Sequence, residues 1–565
     1  MPTFAAIDIG SNSCRLKIAK VVAHQLRTVH EDREVTRLGT SVFDSGLVSP
    51  EAMAATLRTL KRFQRAVQQH GVDQIRVVAT AALRDARNGD AFSAWVKAET
   101  GWVMETISGL EEARLIHLGV MNPVAEEHAG LRSDENVEGA GSAGRVVLID
   151  LGGGSCEITL SEHKRIKQTV SLPLGAVRLT EEFLQEDPAP ANGLAQMQKL
   201  IDRELRRAHK IIQPENVGLV IATSGTAAAL YDAIMAGSGS AAKADKPAGK
   251  GLGKAAKKSA KKGIGKSAAK AVAASVARLA VARSAVEEIA STREVRKLAH
   301  RLGLLSLAER TAISGIGPRR AEIIVAGAQV YATLLESFGL AGFRYSQLGL
   351  RDGILAQMLV EQDARATAHI EFELQRWESV LVTARRFGVD PKQAEPVRTH
   401  ALQLFKELKA LHQMPPEYES WIGAAAMLRD TGKFINHQGH HRHTQYIISS
   451  SEIYGYTQLQ RTVVSAIARY LGKSRPQPGD RALRNIPVEE HKHVQRAVVL
   501  LRLAVALNQD RASDVLRVAA KLYPKRIYLE VEPGRTGAEL ELWSLRKEAD
   551  YFREVFGREL FPTLA

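Results

Sequence analysis

"VVLIDLGGGSCEITL", residues 146–160, decides the fold. An apolar run ends at Asp150, passes through Gly152, Gly153 and Gly154, and resumes as an alternating run that carries Glu157. Residues 4–19, "FAAIDIGSNSCRLKIA", repeat the pattern, with Asp8 before a turn from Gly10 to Ser13. Cys14 and Cys156 each stand six residues past the aspartate of their segment, which marks the two stretches as one internal repeat.

Working outward by period, the first copy predicts strands at 3–9, 14–22 and near 26–35. A helix then runs from Pro50, capped by Ser49, towards Gly71. Strand "QIRVVAT", a helix beginning "AALRDARN", strand "WVMETI" and a helix from near Gly109 complete the first half. From Val146 the order restarts, with a third strand near 165–171, a helix over about 193–210, strand "VGLVIAT" and a helix opened by "SGTAAAL". Two α/β halves of related topology place the natural ligand site in the cleft between them. From about residue 365 helical patterns take over. In the tail, "KRIYLEVEP" and "GAELELWSL" alternate with period two and predict a hairpin ahead of a last helix around 545–557.

The 565 residues are 45% hydrophobic and 25% charged, as in ordinary globular proteins, and no apolar run approaches the roughly 20 residues of a membrane span. The N-terminal "MPTFAAIDIG" is a strand without a basic leader, so a cytoplasmic protein is expected. Two cysteines exclude a disulfide framework and a cysteine-rich zinc site. Of the net charge of +15, nine arise between Gly237 and Ser275, where ten Lys stand against one Asp. That Ala/Gly/Ser/Lys insertion has almost nothing to bury, so disorder is expected, either as a linker or as an arm that binds polyanions nonspecifically.

Three turns follow strands in the α/β part: "GSNS" at 10–13, "GGGS" at 152–155 and "TSGT" at 223–226. Glycines let backbone N–H groups converge and hydroxyls add donors, which is how a chain wraps phosphate oxygens. Asp8 and Asp150 put carboxylates beside two of these loops, where a divalent cation would screen the phosphate charge, and Glu157 can fold back towards Asp150. Glu111 and Glu112 begin a helix. Acids there complement the helix dipole, but the position at the cleft makes one of them a candidate base for activating water.

The ordered set "AAIDIGSNSCRL", "VVATAALRDARN", "ISGLEEARLI", "VVLIDLGGGSCEITL", "ATSGTAAAL" and "GLRDGIL" resembles the exopolyphosphatase and guanosine pentaphosphate phosphohydrolase family, of the actin, sugar kinase and Hsp70 superfamily. The resemblance implies two ribonuclease H-like (actin-like ATPase) α/β domains, at 1–122 and 123–362, the second with the insertion at about 237–275. An all-helical HD-like domain at 363–510 and a small α+β segment at 511–565 would follow. It implies release of orthophosphate from inorganic polyphosphate with Mg2+ or another divalent cation, or alternatively from guanosine pentaphosphate, by a homodimer. Glu112 matches the family's catalytic base, Asp150 and Glu157 its acidic metal and water site, and Arg84 an arginine that holds phosphate. The phosphate cradles would be Ser11, Asn12 and Ser13; Gly152, Gly153, Gly154 and Ser155; and Ser224, Gly225 and Thr226. Arg351, in the last motif, is assigned to phosphate. A kinase of the same superfamily and a silent sensor of polyphosphate or alarmone are the competing classes, and Glu112 and the retained acids argue against them.

"AAAMLRDTGKFINHQGHHRHTQY" is similar to HD-type metal phosphohydrolases, but Arg429-Asp430 stands where His-Asp would bind metal. His400 is the nearby candidate for the preceding metal histidine. His437, His440, His441 and His443 form the apparent cluster, and the expected role is structural or polyphosphate-binding, with a residual metal site as the lesser reading.

Overall fold

The computed structural model describes residues 2–121, 144–244, 289–363, 369–472, 474–510, 515–535 and 537–565. The polar joint between the halves and most of the lysine-rich insertion lie outside the described residues. The chain divides into two compact units, one running to His369 and the other from Ile370 to Ala565.

In the first unit, β1 (Thr3–Ile9), β2 (Ser13–Val22) and β3 (Gln25–Val35) form an antiparallel meander, and β4 (Gln74–Ala79) and β5 (Met104–Thr106) add in parallel beside β1. The sheet order is β3-β2-β1-β4-β5. A second sheet repeats this plan with β6 (Arg145–Leu151), β7 (Cys156–Glu162), β8 (Arg165–Leu172), β9 (Leu219–Thr223), β10 (Ala290–Ser291) and β11 (Gly342–Tyr345), in the order β8-β7-β6-β9-β11-β10. Ile9 pairs with Cys14 as Leu151 pairs with Cys156, so the two buried cysteines are equivalent positions of one hairpin. Ile7, Leu16, Phe63 and Phe92 fill the core of the first sheet, and Ile149, Ile158, Leu205 and Tyr331 that of the second.

Two helices are exchanged between the halves. Helix Gly109–Met121 ends the first half in sequence yet packs on β7 and β8, while Leu350–Gln362 ends the second and packs on β1 and β2. They cross in backbone contact: a Cβ on Gly353 would lie 1.7 Å from the Leu115 carbonyl oxygen, and one on Gly119 2.6 Å from the Gly353 nitrogen. Lys17 Nζ ties the second helix to β2 through Asp352 Oδ1 at 2.7 Å.

Ser49 caps helix Pro50–Gln69 by accepting from the Ala52 N–H. The helix expected from "AALRDARN" is two, Ala81–Asp85 and Gly89–Thr100, and a further helix, Ala176–Phe183, follows β8. Helix Ser224–Ala244 extends past Gly237, into residues expected to be disordered. Ala and Lys there are good helix formers and continue a helix already nucleated by packing.

The second unit contains helices His369–Arg386, Pro391–Glu407, Tyr418–Leu428, His440–Ser450, Gln458–Arg469 and His491–Ala506 around Leu404, Tyr418, Ile422 and Val498. A three-stranded sheet closes it: β12 (Val518–Leu522) antiparallel to β13 (Arg526–Val531), with β14 (Glu559–Leu564) parallel to β13. The expected hairpin partner "GAELELWSL" is instead the start of helix Glu539–Phe556. Leu542 and Leu545 are buried three apart while Leu540 and Trp543 face solvent, so the working period is helical. No helix among the described residues is long and apolar enough to cross a membrane.

Replacing Gly353 with Ala should force the two exchanged helices apart. We expect a loss of about 1–3 kcal/mol, read as a lower Tm by circular dichroism, together with reduced activity because Glu112 rides on one of the helices.

Candidate active site

The C-terminal ends of β1, β6 and β9 open into one cavity of about 510 Å3, lined among others by Asp8, Ser11, Asn12, Ser13, Glu112, Asp150 and the Gly152–Ser155 loop. The first two loops close alike: the Gly10 N–H donates to Ser13 O at 3.1 Å and the Gly152 N–H to Ser155 O at 2.9 Å. They also touch each other. A Cβ on Gly154 would lie 2.5 Å from Ala81 Cβ and 2.8 Å from Ser11 Oγ, so only glycine permits the approach. Ser224 takes a left-handed φ of 80° and donates through Oγ to the Leu151 carbonyl, placing the third loop beside the second. Gly225 serves a different end: a Cβ there would overlap the guanidinium of Arg320, which lies flat upon it. Thr226 stands apart from the other loop residues, buried in the core with its methyl group against Gly327.

The helix beginning at Gly109 resolves the choice between its two acids. Glu111 is held by Arg114 in a bidentate pair at 2.9 and 2.8 Å and is fully engaged in the interior. Glu112 instead reaches the cavity, and its ligand atom lies within 4.8 Å of those of Asp150 and Glu157. Antiparallel register sets Glu157 opposite Asp150, and Ser171 on β8 opposite Glu157, where its Oγ donates to Glu157 Oε1 at 2.7 Å. Glu112 Oε2 and Glu157 Oε2 are buried and accept no hydrogen bond. Burial, and then the charge of Glu157, pushes Glu112 well above the usual carboxylate range; burial pushes Glu157 up to about 8 and Asp150 up to about 7. Asp8, across the loops, is raised by burial against the pull of Arg15.

Arg84 stands beside Glu112 with its side chain partly exposed. Its Nη1 donates to the Ile107 carbonyl at 2.8 Å and stands 3.6 Å from Glu112 Oε2, partly offsetting the effect of burial on that acid. Arg351 does line the cavity, with Nη1 anchored on the Leu16 carbonyl at 3.0 Å. Three further arginines, Arg15, Arg33 and Arg320, line it unanticipated from sequence. Burial, followed by repulsion from Arg15, lowers Arg33 to about 10 and Arg320 to about 9. Arg33 Nε and Nη2, Ser11 Oγ and Asn12 Nδ2 are buried without partners. The site therefore holds carboxylates short of a cation on one side and donors short of an anion on the other. Three carboxylate atoms gathered in this way, two of them without any hydrogen bond, fit a hard divalent cation.

In the helical unit the residual metal site, the lesser reading, finds no group of three ligands among the described residues. His400 is buried, its Nε2 accepts the Leu516 N–H at 3.0 Å, and burial lowers it to about 4. His400 is thus a core residue, and the only group of three candidate metal ligands among the described residues is Glu112, Asp150 and Glu157.

Substituting Arg33 with Ala should raise KM for a polyanionic phosphate substrate by about tenfold or more, with a smaller effect on kcat, because its unpaired donors face the cavity away from Glu112. Steady-state kinetics on the variant checks this.

Residues 17–362 match the model of the Ppx/GppA phosphatase family, and residues 376–549 match Ppx/GppA phosphatase, domain III. A protein of Pseudoalteromonas atlantica named guanosine-5'-triphosphate,3'-diphosphate pyrophosphatase is 27% identical over 518 residues, covering 91% of this chain and 88% of its own length. Among solved structures, an exopolyphosphatase-like protein superposes with a TM-score of 0.50 at 24% identity, over 63% of this chain and 97% of that one. An exopolyphosphatase from Cytophaga hutchinsonii gives 0.49 at 23% identity, over 64% and 99%. With the family's two models together spanning most of its length, the chain belongs to the Ppx/GppA phosphatase family.

Proposed function

We propose that the protein is an exopolyphosphatase, hydrolysing the terminal phosphoanhydride bond of inorganic polyphosphate and releasing orthophosphate. The observation that carries this reading is the division of the cavity into buried carboxylate oxygens that accept no hydrogen bond and buried cationic and polar donors that make none. A phosphate chain bound with a divalent cation satisfies both at once.

Asp150 and Glu157 would hold Mg2+, with Asp8 facing them across the loops. Bound there, the ion would neutralise charge on the phosphoryl oxygens. The loops at 10–13 and 152–155 offer backbone N–H groups, and Ser11 and Asn12 their free side-chain donors, to the terminal phosphate. Arg15, Arg33, Arg320 and Arg351 would pair with the phosphates behind it. A loose phosphoryl-transfer transition state spreads charge over the equatorial oxygens, so such preset donors lower the barrier most. Glu112 Oε2, which accepts no hydrogen bond from the protein, would orient the attacking water and accept its proton as the new P–O bond forms. The bridging P–O bond breaks, and the shortened chain leaves with its negative charge among the arginines.

Guanosine pentaphosphate is the second reading, supported by the name of the Pseudoalteromonas atlantica relative, whose alignment spans both units of this chain. We further take the protein to work in the cytoplasm as a homodimer, on the strength of the family resemblance.

Glu112→Gln should reduce orthophosphate release on the order of 10²- to 10⁴-fold while leaving KM nearly unchanged. Release from long-chain polyphosphate, with guanosine pentaphosphate assayed in parallel, checks both the base and the substrate. Turnover of the nucleotide alone would move the function to the second reading. Millimolar Mg2+ should also raise the Tm of the wild type, by an amount equivalent to about 2.7 kcal/mol at a hundredfold excess over Kd, and leave that of Asp150→Asn unmoved.

A further inference from the structure

The helical unit has its own cavity, of about 740 Å3, between the end of helix His369–Arg386, the segment at 429–441 and the end of helix His491–Ala506. Phe387, Val389, Val397, Leu471 and Val505 line it with apolar side chains, and Phe434, also in the lining, stands 65% exposed with its ring 5.7 Å from that of Phe387.

In the same lining, Asp430 gathers Lys433 Nζ at 2.8 Å, Arg429 Nη2 at 3.5 Å and His440 Nε2 at 3.9 Å. Asp390, the remaining acid of the wall, is occupied in capping the Lys392 N–H. Deeper in, Asn508 is only 9% exposed, and its carboxamide oxygen has no hydrogen-bond partner. A buried amide oxygen left unpaired is destabilising unless a ligand pairs it.

These features exclude two simple occupants. A metal ion would need three gathered ligands, and the histidines here do not supply them. An inorganic polyphosphate, charged along its whole length, would find only Arg429 and Lys433 as permanent cations among the lining residues, beside several apolar side chains. What fits is a molecule with a flat apolar body, a hydrogen-bonding edge and a single anionic end. We propose that this cavity binds a nucleoside monophosphate, with the base against Phe434, its edge on Asn508, and the phosphate at Arg429, Lys433 and His440. The volume lies within the range of about 300–1,000 Å3 for such sites.

The proposal is independent of the reaction in the first unit. The test is equilibrium binding of guanosine 5'-monophosphate and adenosine 5'-monophosphate to the full chain by isothermal titration calorimetry, with orthophosphate as a separate arm. Phe434→Ala and Lys433→Ala remove side chains that reach solvent, so both variants should fold; circular dichroism confirms it. We expect saturable binding of at least one nucleotide, weakened about tenfold or more by each substitution and unchanged by Arg33→Ala in the other cavity. Absence of binding, or loss with Arg33→Ala in place of the other two, would overturn the proposal. Orthophosphate binding as tightly as the nucleotides would overturn it equally, since the apolar wall and Asn508 would then contribute nothing.

Discussion

Three carboxylates with their oxygens within 4.8 Å of one another set the terms for the whole first unit. Two like charges at that distance repel by roughly 3 kcal/mol at an effective dielectric of 20, before the cost of burial. Such an arrangement survives only where packing leaves the side chains no escape. Glu157 is fixed by its pairing with Asp150 across the hairpin and by Ser171 on the next strand. Glu112 is fixed by its helix, whose first residue must be Gly109 because a Cβ there would lie 2.1 Å from that same Ser171 Oγ. The serine that orients one acid thus also sets how closely the helix carrying the other can approach.

The duplicated frame explains why opposite charges collect in one cavity. In the first hairpin Asp8 pairs with Arg15; at the equivalent register of the second, Asp150 pairs with Glu157. This change of sign at one position sets a guanidinium beside the first loop and a second carboxylate beside the other. The loops between them stay almost interchangeable, with the same closing hydrogen bond from Gly10 and from Gly152. The two hairpins thus share one turn geometry and differ in charge at one register position.

This repeated frame also decides what could be read from the sequence. The repeated Asp-Leu/Ile-Gly turns gave away the hairpins and hence both halves, because strand alternation and glycine turns are local signals. From the residues alone Glu112 is one of two acids in a first turn, and only the family motif singles it out; in the structure Arg114 engages Glu111 and leaves Glu112 at the cavity. Arg15 was invisible, since in "SCRLKIA" it looks like an ordinary outward residue of an alternating strand. Arg320 comes from the coil "GIGPRR", and only the fold brings it over Gly225. Thr226 sat inside a plausible phosphate loop, yet the helix starting at Ser224 has already turned it into the core. The tail misled for a related reason: "AELELW" satisfies period two and a helical face equally, and the choice was made by the sheet beneath, which buries Leu542 and Leu545.

The exchanged helices have a mechanical consequence. Glu112 belongs to the first half by sequence but packs with Glu157 on the second sheet, so the carboxylate group is carried by one sheet. Arg351 belongs to the second half by sequence, yet its helix packs on β1 and its guanidinium is bonded to the Leu16 carbonyl, so it travels with Arg15 and Arg33 on the other. A relative displacement of the two sheets would alter the separation between the acidic group and these arginines while preserving the geometry inside each. On the proposed function, a phosphate chain contacting both would hold the sheets at one spacing, and the binding energy spent there would be available to align water at Glu112.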